Sequence, residues 1–137
     1  MKIILFLLSL FSSSLSINAQ DLFKGDFHNN DLRIRLKINL YEKMPILDDE
    51  YEGDMCYGRL SGALNGSWYL LKIISIDEKK AIVRAVSDSG IEAQTLEMLV
   101  DDDSIVIRQT GETNIRGVKN SKYIKLPKKI VLSKIYN

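Results

Sequence analysis

From Leu32 to Leu40 the chain alternates apolar and polar side chains without a break: Leu32-Arg33-Ile34-Arg35-Leu36-Lys37-Ile38-Asn39-Leu40. A period of two belongs to an extended strand with one face on a core and the other in solvent. A helix would scatter the five leucines and isoleucines around its circumference. The pattern therefore predicts a strand over 32–40 with Leu32, Ile34, Leu36, Ile38 and Leu40 inward and Arg33, Arg35 and Lys37 outward.

Further strands follow at short intervals. Met55 to Leu64 contains Gly58 and Gly62, and glycine within a strand marks a bend, a bulge or a close backbone approach. Asn65-Gly66 is a strong hairpin signal, because a type I′ turn needs positive φ at both central residues. It leads into a strand over 67–76 that carries Trp68, Tyr69, Leu70, Leu71, Ile73, Ile74 and Ile76. Asp77-Glu78-Lys79-Lys80 reads as a turn, 81–86 as the returning strand, and Ser87-Asp88-Ser89-Gly90 as the next turn. Residues 92–100 fit a strand or a short helix, with Gln94, Leu96, Met98 and Val100 sharing a face at period two. Asp101-Asp102-Asp103 turns into 104–108, residues 110–121 are polar and irregular, and 123–135 supplies one or two last segments around Pro127.

This amounts to roughly seven strands with tight turns and no long amphipathic helix. The fold class expected is all-β, an antiparallel meander closed into a small barrel, with a β-sandwich as the alternative. Gly58 and Gly62 favour the barrel, since strongly coiled strands need points of bending.

The first twenty residues differ in kind. Lys2 precedes an apolar run from Ile3 to Leu10, extended by Phe11, then a serine-rich stretch and Ile17-Asn18-Ala19-Gln20. That is the order of a secretory signal peptide, and the run is well short of the roughly 20 residues that span a bilayer. Its ending resembles those of bacterial signal peptides. Cleavage after Ala19 or Gln20 leaves 21–137 as a single small β domain, periplasmic or extracellular. The absence of a cysteine at the cut argues against a lipid anchor. With the signal peptide included, the layout resembles small exported lipocalin-like and other compact β-barrel proteins. The resemblance is one of architecture and carries no site residue.

Without Lys2 the chain holds 18 basic and 18 acidic residues, which gives no reason to expect a nucleic-acid partner. An outer-membrane barrel would present an apolar band outward, whereas Arg33, Arg35 and Lys37 face out, so no membrane insertion of the mature chain is expected. Cys56 is the single cysteine; no internal disulfide is possible, and a buried, inert thiol is the expected role.

His28 is the single histidine, so any Ser-His-Asp or Cys-His mechanism would have to use it. It falls in a polar stretch, Phe27-His28-Asn29-Asn30-Asp31, read as a turn. One histidine and one cysteine do not make a usual zinc site. Acidic residues cluster at Asp48, Asp49, Glu50, Glu52 and Asp54 and again at Asp101, Asp102 and Asp103, without the ligand spacing of a calcium loop. No enzyme activity, metal or cofactor is expected.

Two segments stand apart. The 42–54 connection is long for a meander and mixes its acids with Met44, Pro45, Ile46, Leu47 and Tyr51. Connections of this kind often carry function, although one can simply cover an open barrel end. From Arg116 onward there are seven basic residues and no acid: Arg116, Lys119, Lys122, Lys125, Lys128, Lys129 and Lys134. They can serve an anionic partner, complement the acidic connection, or guard a sheet edge.

The function expected is that of an exported, non-enzymatic binding module whose partner is another protein or a small ligand, most concretely an inhibitor or immunity-type protein. The candidate binding residues are Asp48, Asp49, Glu50, Tyr51, Tyr57, Trp68 and Tyr69, because aromatic anchors dominate interface energetics. The alternatives are a carrier of a small apolar ligand inside the barrel, which needs a cavity, and a structural or assembly subunit of a cell-surface complex. A hydrolase using carboxylates of the 42–54 connection is the least favoured.

Overall fold

A computed structural model describes residues 21–46 and 54–136. The strands are β1 (Lys24–Asn29), β2 (Ile34–Asn39), β3 (Met44–Pro45), β4 (Met55–Cys56), β5 (Gly58–Gly62), β6 (Trp68–Ile76), β7 (Lys80–Ser87), β8 (Ala93–Asp101), β9 (Ser104–Thr110), β10 (Gly117–Lys119), β11 (Lys122–Ile124) and β12 (Ile130–Lys134). Eight of them, β1, β2, β5, β6, β7, β8, β9 and β12, close into an antiparallel barrel in that order. Each barrel strand pairs with the next along the chain, and β12 returns to β1 through Phe27 opposite Lys134 and His28 opposite Ser133. The domain is thus an up-and-down barrel, and the sandwich alternative falls. Two hairpins leave the meander: β3–β4 between β2 and β5, and β10–β11 between β9 and β12.

The period-two patterns decide what lies inside. Ile34, Leu36 and Ile38 of β2, Ala81, Val83 and Ala85 of β7, and Leu96, Met98 and Val100 of β8 all point into one buried cluster. Phe27, Leu60, Trp68, Leu70, Ile105, Ile107 and Leu132 complete it from the other strands, and Phe23 plugs it from just before β1. Residues 92–100, ambiguous by pattern, form a strand whose Gln94 is buried beside its apolar neighbours. The outward positions of β2 are Arg35 and Lys37, both exposed. Among the described residues no helix is long and apolar enough to cross a membrane.

Three local expectations need correction. The strand expected over 32–40 is β2 and begins only at Ile34, because Arg33 has φ 57° and turns the chain; Leu32 packs against the core from that turn. His28 sits within a strand, paired with Arg35 and Ser133, with its Nδ1 2.8 Å from Asn30 Oδ1. Asn65-Gly66 is not a two-residue turn, since β5 and β6 part at Leu60 opposite Trp68 and only Gly66 of the pair has positive φ.

The side chain of Asn65 fastens a distant segment instead. Its Oδ1 accepts from the Arg116 amide at 2.9 Å and from Trp68 Nε1 at 3.3 Å, and its Nδ2 donates to the Asn114 carbonyl at 2.9 Å. Replacing Asn65 with alanine strands three polar groups, at a cost of about 2 kcal/mol. Urea unfolding is expected to register that loss, and hydrogen exchange at the Arg116 amide should accelerate.

The strand registers place the connections at two opposite ends. At one lie 30–33, 63–67, 88–92 and 111–129; at the other lie 21–23, 40–46, 54–57, 77–79, 102–103 and the C-terminal residues. At the second end β3–β4 folds back on the barrel wall, where Met44, Ile46 and Cys56 cover Tyr69 and Leu71 of β6. Burial there pushes the Cys56 thiol above its ordinary value, with the Gly58 backbone and Arg59 opposing. A thiol whose pKa is raised by folding favours the folded state below its unfolded pKa, and that stability is lost as pH rises through the folded pKa. Cys56 is therefore expected to react with a thiol reagent at neutral pH at least about tenfold more slowly than free cysteine, and at the ordinary rate in denaturant.

Candidate functional site

Two of the aromatic residues singled out from the sequence are inaccessible. Trp68 is 0% exposed inside the barrel, and Tyr69, pointing the other way, is 4% exposed beneath β3–β4. Tyr57 is partly buried against the core, with Lys43 Nζ 5.3 Å from its ring centre. Asp48, Asp49, Glu50 and Tyr51 lie outside the described residues.

The surface with the most unusual construction is at the other end, where 111–129 caps the barrel. Its irregular part is held by amide side chains rather than by ladder pairing. Gln109 grips Ile115 from both sides, with Nε2 donating to its carbonyl and Oε1 accepting from its amide, each at 2.9 Å. Gln94 Oε1 accepts from the Asn114 amide at 2.8 Å, and Asn114 Nδ2 donates to the Ala93 carbonyl at 2.9 Å. These bonds explain a buried glutamine in an apolar barrel: an uncompensated amide would be costly there. They also drop Ile115 into the barrel mouth, where it joins Leu64 and Leu126 in the core.

Beyond Ile115 the chain rises into the β10–β11 hairpin. The Val118 amide donates to the Ala63 carbonyl at 2.9 Å, and Gly117 bridges Leu64, so β10 lies along the 63–65 segment. The hairpin is closed by Asn120 and Ser121 with φ of 53° and 62°. Positive φ at both residues makes this a type I′ turn, the turn expected at 65–66. Serine in this region is disfavoured. Lys119 and Lys122 stand directly opposite each other beside the turn, an arrangement in which like charges repel.

Clefts open on both flanks of the hairpin. One, of about 400 Å³, is lined by Gln109, Ile115, Arg116, Tyr123, Lys125 and Leu126. The second, of about 370 Å³, is lined by Arg33, Ala63, Val118, Lys119, Ile124 and Leu126, with Asp31 at its edge. Each has an apolar floor and a basic rim. Tyr123, 66% exposed, and Ile124, 38% exposed, stand beside them. Between 113 and 129 six cations, Arg116, Lys119, Lys122, Lys125, Lys128 and Lys129, occur without one acid. The ion pairs among the described residues, Lys80–Glu97 at 3.6 Å and Arg108–Glu97 at 3.1 Å, lie on the barrel wall. The capping cations therefore face solvent without a carboxylate partner within the described structure. Lys134, the seventh basic residue, sits at the far end of β12 with its ammonium 5.7 Å from the Tyr136 ring centre.

While the capped end carries Asp31, Glu92 and Glu112 around the hairpin, the opposite end exposes Asp77, Glu78, Asp101, Asp102 and Asp103. The flanks of the 42–54 connection emerge there too, which separates them from the basic cap by the length of the barrel. Among the described residues no group of three histidine, cysteine or carboxylate side chains is placed to hold a metal ion.

The amide clamps and the true type I′ turn escaped the sequence reading. The density of amide and hydroxyl residues around a lone Ile115 was the available signal. Comparison with family models, curated proteins and solved structures gives no match for this chain.

Proposed function

We propose that the chain is an exported, non-enzymatic binding module that works in the periplasm or outside the cell and recognises another protein from its outer surface. Its most concrete form is an inhibitor or immunity-type protein that neutralises a partner by covering it. The observation that carries this reading is the filled barrel interior. Trp68, Phe27, Leu36, Leu70, Leu96 and Met98 meet across it, with Phe23 at one mouth and Ile115 at the other. A carrier of a small apolar ligand needs the volume these side chains occupy, so recognition from outside is favoured. A closed barrel also loses little conformational entropy on binding, which suits obstruction by a preformed surface.

The 42–54 connection, with Asp48, Asp49, Glu50 and Tyr51, keeps the place in this reading that its length and composition earned. Tyr57 remains a peripheral candidate. Trp68 and Tyr69 serve the fold and drop out as anchors.

The test is affinity capture with tagged mature chain from Asp21 onward, applied to envelope and secreted fractions of the source organism, followed by titration of the purified partner. A partner that binds the isolated domain saturably supports the reading. Failure of every captured protein to bind the pure domain overturns it. Replacement of 48–51 by a Gly-Ser linker locates the contact: a loss of affinity of about tenfold or more assigns it to that connection, and unchanged affinity removes Asp48, Asp49, Glu50 and Tyr51 as contacts.

A further inference from the structure

We propose that the β10–β11 cap is the recognition surface for an acidic protein segment, whose carboxylates pair with the basic rim while apolar side chains enter the two clefts. This rests on the binding-module reading and names the site and the partner's chemistry.

Three observations support it. First, the cap concentrates cations where the fold gains nothing from them. Lys119 and Lys122 oppose each other across a hairpin of three residue pairs, and its turn holds Asn120 and Ser121 in the left-handed region. Like charges across a short hairpin, closed by a turn without glycine, weaken it. An anionic partner removes that repulsion, whereas a purely structural cap would be better served by neutral residues.

Second, the cap is rigidly built in spite of this. Gln109, Gln94, Asn114 and Asn65 tie its base to the barrel through bonds of 2.8–2.9 Å. Gly117 lets Ile124 and Leu126 pack close, since a Cβ there would stand 3.0 Å from each of them. The clefts are therefore preformed, which lowers the cost of binding.

Third, the chemistry of the clefts fits a polypeptide better than an extended polyanion. Their floors are Ile115, Leu126, Val118 and Ala63, and their rims are Arg116, Lys125, Arg33 and Lys119. Apolar side chains spaced between carboxylates satisfy both parts at once. Exposed Tyr123, flanked by Arg116 and Lys125, is the aromatic-plus-basic combination that anchors protein interfaces. Exposed acids lie at the same end, at Asp31, Glu92 and Glu112, and residues 21–137 are neutral overall. A nucleic acid or a broad anionic surface would meet those acids, whereas a local acidic segment fitted to the basic rim would not.

The probe is a short labelled peptide alternating glutamate and leucine, titrated into the mature domain at low salt. Saturable binding is expected, weakened at least about tenfold by K119E/K122E and strongly reduced near about 0.5 M salt. A peptide with serine in place of leucine should bind less well. Both lysines are exposed, so the variant should keep the wild-type melting temperature; K119Q/K122Q, expected to bind at an intermediate level, guards against an effect of reversed charge on folding. The proposal is overturned if the peptide does not bind, if charge reversal leaves binding unchanged, or if vesicles of anionic phospholipid bind where the peptide does not. The two readings separate cleanly. A captured protein partner that still binds K119E/K122E at full strength leaves the binding module standing and removes the cap as its site.

Discussion

Replacing Trp68 with alanine is expected to destabilise the domain by about 4 kcal/mol. The indole is fully buried at the start of β6 and belongs to the same cluster as Phe27, Leu60 and Leu96. Its removal leaves a void that closed strands on either side can refill only in part. The Nε1 bond to Asn65 is lost as well, although Asn65 Oδ1 keeps the Arg116 amide. Trp68→Phe retains most of the volume and should cost about half as much or less. Since domains of this size are stable by only about 5–15 kcal/mol, urea denaturation will separate the three proteins clearly. The same series tests the role of the residue. A surface anchor would lose affinity at unchanged stability, whereas Trp68→Ala is expected to lose stability first and binding only as a consequence.

Gly62→Ala is expected to cost about 3 kcal/mol or more. Gly62 has φ of 116°, where an L side chain is strained, and a Cβ built on it would lie 2.1 Å from the Arg33 carbonyl oxygen. The obstacle is backbone, so no rotamer change relieves it. Arg33 is itself held at φ 57°, and Gly62 is paired with Ile34 at the beginning of β2. Accommodation would require β2 and β5 to separate where the barrel wall turns. Gly111 supplies the control. Its φ is 77° but nothing lies within 4 Å of a Cβ there, so Gly111→Ala should cost only the backbone term, about 1 kcal/mol. Thermal melts of the two variants separate conformational strain from collision.

The barrel was legible because it depends on a period of two. Ile34, Leu36 and Ile38 alternate with Arg35 and Lys37, so β2 announces which face it buries, and Gln94, Leu96, Met98 and Val100 share a face in β8. β7, with Ile82 and Val86 between its inward residues, is bounded by its turns more than by its pattern. β1 was not legible. Lys24-Gly25-Asp26-Phe27-His28-Asn29 has only Phe27 fully buried, and the segment is extended because β2 and β12 pair with it on either side. Such a strand is imposed by its neighbours rather than by its own pattern.

The candidate site was half legible for a related reason. The run of cations after Arg116 could be counted, but their gathering on one barrel end depends on where β9 stops and β12 begins. Trp68 and Tyr69, adjacent on β6, necessarily point to opposite faces. That one was bound for the core followed from strand geometry; that the other is covered follows from a hairpin whose packing no periodicity reports. The Asn65-Gly66 pair misled because a strong turn dipeptide was used as a clamp, while the type I′ turn formed at Asn120-Ser121, a weaker signal.

The central claim is that this closed barrel binds a protein partner from outside, at its capped end. Chemical-shift mapping of the labelled domain from Asp21 onward against a purified, captured partner tests it most directly. The amides of 113–125 are expected to move, and the methyls of Leu36, Leu70 and Leu96 to stay in place. Perturbation of those interior groups with a quiet cap would contradict it and return the barrel interior to consideration as the binding site.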